Sequence, residues 1–204
     1  MIKRIIFDID DTIFNTKKDC IDSYNEFFKM YDFNKTAEEL YDKIDELNYI
    51  DVTTINEYYI FLKEYLGDKF TEDVFDEFCD IYIKSATFLY DDYESLFKEL
   101  SEKYELYIWS NWFYYIHINK LNNKGILKYF KKVYTIDTFG KKPDLECYKK
   151  ICQPYNFDEC VMVGDSIKGD VEPALLLGIK SIYVGKNEKY NPIKNLNEIR
   201  KILL

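Results

Sequence analysis

Residues 2–12 read Ile-Lys-Arg-Ile-Ile-Phe-Asp-Ile-Asp-Asp-Thr, and the reading of this stretch decides the fold. Ile2–Ile9 is short, β-branched and apolar, the texture of a buried strand. It runs into acids: Asp8, Asp10 and Asp11 stand where the apolar run gives out. Carboxylates directly after a buried strand cost desolvation energy unless something pairs them. The plain alternative is an acidic turn, since Asp is common in turns. The rest of the chain decides between the two.

Beyond Thr12 the pattern changes to helical spacing. From about Asn15 to Phe88 the apolar residues Ile21, Tyr24, Phe27 and Phe28, then Leu40, Ile44 and Leu47, then Ile55, Tyr58, Tyr59 and Leu62, then Val74, Phe78, Ile81 and Tyr82 predict three to five helices. Thr36 before Glu39, and Thr71 before Val74, are helix starts. From Asp91 onward strands and helices alternate. A helix over Tyr93–Lys103 precedes a strand over Leu106–Ser110. A helix from Phe113 to Asn123 precedes a strand near Val133–Ile136. Pro143 suits the first turn of a helix running to Gln153. Then come a strand at Cys160–Val163, a helix over Gly169–Leu177, a strand at Ile179–Val184 and a last helix over Leu196–Leu203. Such alternation implies an α/β fold, a parallel sheet covered on both faces. The first strand is separated from the others by the helical block. The expected organisation is therefore a core of residues 1–14 and 89–204, with an all-helical insertion over 15–88.

Ligands of parallel sheets collect beyond the carboxyl ends of the strands. Four strand ends carry polar residues: Asp8-Ile9-Asp10-Asp11-Thr12, Ser110-Asn111, Lys142-Pro143 in the loop after the third strand, and Gly164-Asp165-Ser166 with Asp170 five residues after Asp165. Gathered on one rim, Asp8, Asp10, Asp165 and Asp170 would carry about four negative charges against one from Lys142. No phosphate would enter unaided. A divalent cation must supply the deficit, and oxygen ligands favour magnesium over zinc or copper.

This set of motifs resembles the haloacid dehalogenase-like hydrolase superfamily. The matching pieces are Asp-Ile-Asp-Asp-Thr at 8–12, Ser110, Lys142 before Pro143, and Gly-Asp-Ser-Ile-Lys-Gly-Asp at 164–170, in family order over essentially the whole chain. Any one is weak; four in order are specific. The resemblance implies a Rossmann-like core whose helical insertion is a C1 cap. It implies that Asp8 attacks phosphorus and forms an aspartyl-phosphate, and that Asp10 acts as general acid and then base. Thr12 would help hold Asp10. Ser110 and the amide of Asn111 would bind phosphoryl oxygens, and Lys142 would neutralise charge. Magnesium would be held by the Asp8 carboxylate, the Asp10 carbonyl and Asp165. Asp170 either joins through water or pairs with Lys142. Lys142, directly before proline, is preferred over Lys141. Asp11 stands where many relatives have glycine. The superfamily's dehalogenases lack an acid at the position of Asp10, so an aspartate there implies phosphatase or phosphomutase chemistry.

Composition narrows the partners. The chain has 204 residues and a formal net charge of −9, which argues against general affinity for nucleic acid or anionic lipid. The five cysteines form no CxxC pair, and there is one histidine, so neither a disulfide framework nor a zinc cluster is expected. The cysteines read as small hydrophobes. No signal peptide or membrane-spanning run is visible, and the expected location is the cytoplasm. His117 falls on a helix face and is assigned no chemistry. Trp112-Phe113-Tyr114-Tyr115 reads mainly as core, and Lys17, Lys18 and Lys43 as a solvated face. The expected reaction is hydrolysis of a small phosphorylated metabolite: a sugar phosphate, a phosphoglycolate-like acid or a nucleoside monophosphate. A sugar phosphomutase and a catalytically silent phosphate-binding protein stay open.

Overall fold

The computed structural model describes residues 1–48 and 51–204; residues 49 and 50, inside the expected helical insertion, lie outside the described residues. The sheet is built from β1 (Arg4–Phe7), β2 (Glu105–Trp109), β3 (Lys132–Tyr134), β4 (Cys160–Gly164) and β5 (Lys180–Tyr183). All pairings are parallel and the order is β3-β2-β1-β4-β5, so β1 lies at the centre. β1 and β4 are buried along their whole length, as near-continuous apolar strands of a doubly covered sheet must be.

The two faces are covered separately. Ile5, Phe7, Leu106, Ile108 and Val163 pack with Leu96, Phe97 and Leu100 of α5 (Tyr93–Ser101), Leu121 of α6 (Tyr114–Asn123) and Ile199 of α9 (Ile199–Leu203). Ile6, Trp109 and Met162 pack with Tyr148 and Ile151 of α7 (Leu145–Cys152) and Ala174 of α8 (Glu172–Leu176). Arg4, at the start of the central strand, is buried and its terminal nitrogens are paired: it donates to the carbonyls of Ile151 and Gln153, pairs with Glu105 at 2.7 Å, and lies 3.9 Å from the Tyr107 ring centroid.

Between β1 and α5 lie α1 (Thr16–Met30), α2 (Ala37–Asp45), α3 (Ile55–Leu66) and α4 (Glu72–Ser85). Their starts are written locally. Thr36 with Glu39 and Thr54 with Glu57 form reciprocal capping boxes, and Thr71 accepts from the amide of Val74. The interior of this block is aromatic. Phe27 has the rings of Tyr31, Phe33 and Phe78 at 5.1, 5.6 and 5.2 Å between centroids. The same apolar cluster continues onto Phe113, Ile116 and Ile136 beside the sheet. The chain crosses between sheet and block twice, and the crossings lie side by side: Phe14 bridges Phe88, Asn15 donates to the Thr87 carbonyl and Leu89 to that of Ile13. Buried Asp19 of α1 fastens the return crossing by accepting from the amide and hydroxyl of Thr87, at 2.8 and 2.6 Å.

Two expected helices start differently. The helix after the third strand begins at Leu145, not at Pro143, because Asp144 is its N-cap and accepts from the amides of Glu146 and Cys147. The helix expected over Gly169–Leu177 is split. A π-helical turn occupies Ile167–Val171 and α8 follows. The Ser166 hydroxyl accepts from the Gly169 amide at 2.9 Å, and the Ser166 carbonyl takes the amides of both Asp170 and Val171, at 2.8 and 3.1 Å. The turn thus starts earlier and is widened, as such turns often are at functional sites. The third strand ends at Tyr134, short of Ile136, because the Thr135 carbonyl already serves the amides of Thr138, Phe139 and Gly140. The C-terminal segment begins with a 3₁₀ turn over Leu196–Glu198 before α9. No helix among the described residues is long and apolar enough to cross a membrane.

Candidate active site

Register brings the polar strand ends level. Phe7 pairs with Ile108 on one side and Val163 on the other, so the residues that follow each of them share one rim. The Asp8 amide donates to the Val163 carbonyl at 2.8 Å and that of Ser110 to Tyr134 at 3.1 Å, carrying the ladder to the edge of the site. Asp8, Asp10, Ser110, Asn111, Lys142, Asp165 and Asp170 all line one cavity of about 330 Å³.

Lys142 is its electrostatic centre. Its ammonium is buried and lies 2.6 Å from Asp8 Oδ1 and 2.7 Å from Asp170 Oδ1. Burial opposes this charge, yet the carboxylates of Asp170 and Asp8 hold the ammonium above the usual lysine range. The Lys142 backbone is clamped by Asn111, whose Oδ1 accepts from its amide at 2.6 Å and whose Nδ2 donates to its carbonyl at 3.0 Å. Trp109 Nε1 braces the same loop through the Gly140 carbonyl at 2.9 Å. Both oxygens of Asp170 are engaged, the second by the Ser166 amide at 3.1 Å. Gly164 makes room for this: a Cβ there would stand 2.2 Å from Asp170 Oδ2. The ion pair foreseen between Asp170 and Lys142 is formed.

Asp10 has different company. Its Oδ1 accepts from the Thr16 hydroxyl at 2.8 Å, and its Oδ2 lies 3.3 Å from both Ser110 Oγ and His117 Nε2. Ser110 Oγ and His117 Nε2 are 2.8 Å apart, closing a three-membered network. Burial pushes the Asp10 carboxyl up, but His117, then Lys120 and Thr16, bring it well below the ordinary carboxylate range. Thr12, expected to help hold Asp10, bonds instead toward Asp8. It is fully buried and its hydroxyl points at Asp8 Oδ2, at a long 3.5 Å. The left-handed turn at Asp11 (φ 53°) explains the exchange, because it swings the chain so that Thr16 and Asp11 bond each other and Thr16 reaches Asp10. Asp is among the few side chains that tolerate that conformation, which suits a position where glycine is the alternative.

His117 corrects the sequence reading: it is fully buried, and it touches the site rather than standing idle on a helix face. Lys120, one turn further along α6, is also fully buried. Its ammonium has no hydrogen-bond partner among the described residues and sits 3.4 Å from the centroid of the Tyr82 ring of α4. Burial brings its pKa down, while Asp10, Cys20 and Asp19 pull it up. Neither residue carries a motif; only their three-residue spacing, which puts both on one helix face, could have hinted at them. Of the aromatic run, Trp112 lines the cavity, Phe113 is core, and Tyr114 and Tyr115 are exposed. The five cysteines are buried and free.

Carboxylate oxygens of Asp8, Asp165 and Asp170 lie within 4.8 Å of one another. Three carboxylates against one ammonium leave two negative charges uncompensated. Such crowding favours protonation of these carboxyl groups. Burial, opposed by Lys142 and reinforced by Asp170 and Asp165, pushes Asp8 well above the carboxylate range. Burial, then Asp170 and Asp11, raise Asp165 to about 7. An all-oxygen donor set with this charge deficit fits a hard divalent cation.

The chain belongs to the haloacid dehalogenase-like hydrolase family, whose profile it matches over residues 5–184. It is 24% identical over 120 residues to the HAD-hydrolase YfnB of Bacillus subtilis, covering 56% of this chain and 51% of that one. It is 29% identical over 97 residues to the pyrimidine 5'-nucleotidase PynA of Streptococcus pneumoniae, covering 46% of this chain and 38% of that one. The chain therefore matches about half of the first relative's length and less of the second's. In structure it resembles magnesium-bound YfnB, with a TM-score of 0.77 and 20% identity over 99% of this chain and 98% of that one. It also resembles a HAD phosphatase from Thermococcus onnurineus, with a TM-score of 0.72 and 25% identity over the same shares.

Proposed function

We propose that this chain is a magnesium-dependent phosphatase that hydrolyses a small phosphate monoester through an aspartyl-phosphate on Asp8. The observation that carries this reading is the contrast between two carboxylates two residues apart: Asp8 is tied to Lys142, while Asp10 is held aside by Thr16, Ser110 and His117. Displacing halide from carbon needs no proton for the leaving group. A second acid beside the nucleophile is chemistry for an alcohol.

An Asp8 oxygen attacks phosphorus, the bond from phosphorus to the ester oxygen breaks, and that oxygen takes a proton from Asp10. Asp10 then removes a proton from water. The water oxygen attacks phosphorus, the bond to Asp8 breaks and inorganic phosphate leaves. Asp10 exchanges these protons within its network with His117 Nε2 and Ser110 Oγ. Lys142 offsets the negative charge that Asp8 and the phosphoryl group would otherwise share, and Ser110 with the Asn111 amide donates to phosphoryl oxygens. The carboxylates of Asp8 and Asp165 and the carbonyl of Asp10 would hold magnesium; Asp170, with both oxygens engaged, would contribute through water. When bound, the ion neutralises carboxylate and phosphoryl oxygens together. The helices within residues 15–88 would act as a cap over the core of 1–14 and 89–204, excluding water during the first step. The magnesium in the YfnB structure, the Thermococcus onnurineus phosphatase and the nucleotidase activity named for PynA support this assignment.

The test is release of inorganic phosphate from a panel of phosphate monoesters. Phosphate should appear with magnesium, stop with EDTA and return when magnesium is restored. An isomerised ester without free phosphate would make the chain a mutase. Silence across the panel would make it a phosphate-binding protein.

A further inference from the structure

One wall of the cavity has a charge behind it. Tyr82 of α4 lines the cavity beside Cys20 and Tyr24 of α1, and it is buried. The Lys120 ammonium of α6 lies 3.4 Å from the centroid of the Tyr82 ring. Lys120 itself is fully buried and does not line the cavity. Its Nζ has no hydrogen-bond partner among the described residues. A buried ammonium without an acceptor is costly. The field of Asp10 and of Asp19 offsets part of that cost. A methionine of similar length would fill the same space without it, since apolar replacements of buried charges are often neutral or stabilising. What the charge adds is attraction to the face of one ring, which is strongest away from water. That ring is a wall of the cavity, and the helix that carries the ammonium belongs to a different part of the chain. α6 begins at Tyr114, shortly after Ser110 at the end of β2, whereas α4 lies in the helical block between β1 and α5.

We propose that Lys120 is a positioning residue: from behind the cavity wall its ammonium fixes the Tyr82 ring, and so the surface against which the departing alcohol lies. This rests on the phosphatase reading above. In that reading the phosphoryl group is held at the sheet rim by Ser110 and Lys142, and its ester oxygen faces Asp10. The alcohol then extends away from the rim, toward the helices that include Tyr82. Packing within the helical block would place the ring relative to the other helices only. Seating it on α6 places it relative to the strand end that holds the reacting atoms, which is what a productive geometry needs.

The experiment follows phosphate release from phenyl phosphate by the full chain with magnesium, comparing the parent with Lys120→Met, Tyr82→Leu and the double variant. Lys120→Met keeps the bulk and drops the charge. Its kcat/KM should fall about 10-fold, the scale of one desolvated cation–π contact, with the loss in KM and kcat held within about 3-fold. Inhibition by inorganic phosphate, which has no alcohol to place, should stay within about 2-fold of the parent. Lys120→Met should nonetheless melt no lower than the parent, because it removes an unpaired buried charge. Tyr82→Leu should melt lower, since it strips the ammonium of its ring, and the double variant should recover that loss. In kcat/KM the double variant should be about as impaired as either single variant, not impaired by the product of the two. A parental kcat/KM for Lys120→Met, a loss carried by kcat alone, or single-variant melting shifts that simply add would each overturn the positioning role and leave the phosphatase reading standing. No phosphate from the parent overturns both.

Discussion

At the rim of the sheet, Lys142 makes two ion pairs, Asn111 clamps its backbone, and Asp170 spends both oxygens. Across the same cavity, helices α1, α2 and α4 present rings and apolar surface, and the indole N–H of Trp112 has no hydrogen-bond partner among the described residues. One region is closed on itself and the other is unfinished. The difference teaches where selectivity can be placed. Side chains that hold one another at 2.6–2.8 Å keep a reacting geometry whatever is bound. A lining of rings and apolar surface can suit a particular alcohol without disturbing that geometry.

The comparison breaks most visibly at Asp8. Asp8→Asn should remove turnover of every phosphate ester, by at least about 10⁴-fold, because no other group replaces the nucleophile. Turnover that survives would sink the covalent mechanism. Asp10→Asn should lower kcat by about 10²–10⁴-fold, the usual worth of a positioned acid and base. Magnesium binding, followed by calorimetry, should persist, since the proposed metal contact of Asp10 is its carbonyl; lost binding would give its side chain a different role. His117→Ala should cost about 10–100-fold in kcat, the scale of one hydrogen bond to a charged group, with a smaller effect on KM. Equal losses in a folded His117→Ala protein and in a distant core variant would reduce His117 to packing.

Gly164→Ala tests how tightly the rim is closed. The added Cβ would collide with Asp170, and overpacking of this kind costs about 1–3 kcal/mol in denaturant unfolding. A neutral result would mean Asp170 can move without consequence. The smallest expected effect is on pH. Asp165 is raised to about 7 from an ordinary 3.8, and Asp8 is raised as well. Between those values the folded chain keeps protons that the unfolded chain has lost, so stability without divalent cation falls as pH rises through that window. The cation-free protein should melt a few degrees higher at about pH 5.5 than at about pH 8. Magnesium should stabilise more at the higher pH, where the carboxylates are ionised. A melting temperature that rises with pH in EDTA would contradict the crowding of acids.

Much of this was legible beforehand for local reasons. A buried strand is written as a short β-branched run, and Thr36 with Glu39 writes a helix start within four residues. The order of the acidic and basic strand ends could be read because each lies directly after an apolar run. The start of α7 was misread by two residues, since Asp144 competes with Pro143 for the same position and captures two amides. The widened turn at Ile167–Val171 was hidden, because its cause is the Ser166 carbonyl taking two donors at once.

By itself, then, the sequence determined that a parallel sheet would gather Asp8, Asp10, Ser110, Lys142, Asp165 and Asp170 at one edge. Parallel strands share a direction, so their ends share a rim. Only the tertiary structure decided that Thr16 rather than Thr12 supports Asp10, that His117 completes its network, and that Lys120 lies buried behind Tyr82. Those contacts depend on a left-handed turn at Asp11 and on how α6 seats between sheet and helical block. A helix face reads the same in sequence whether it packs against leucine or against an acid.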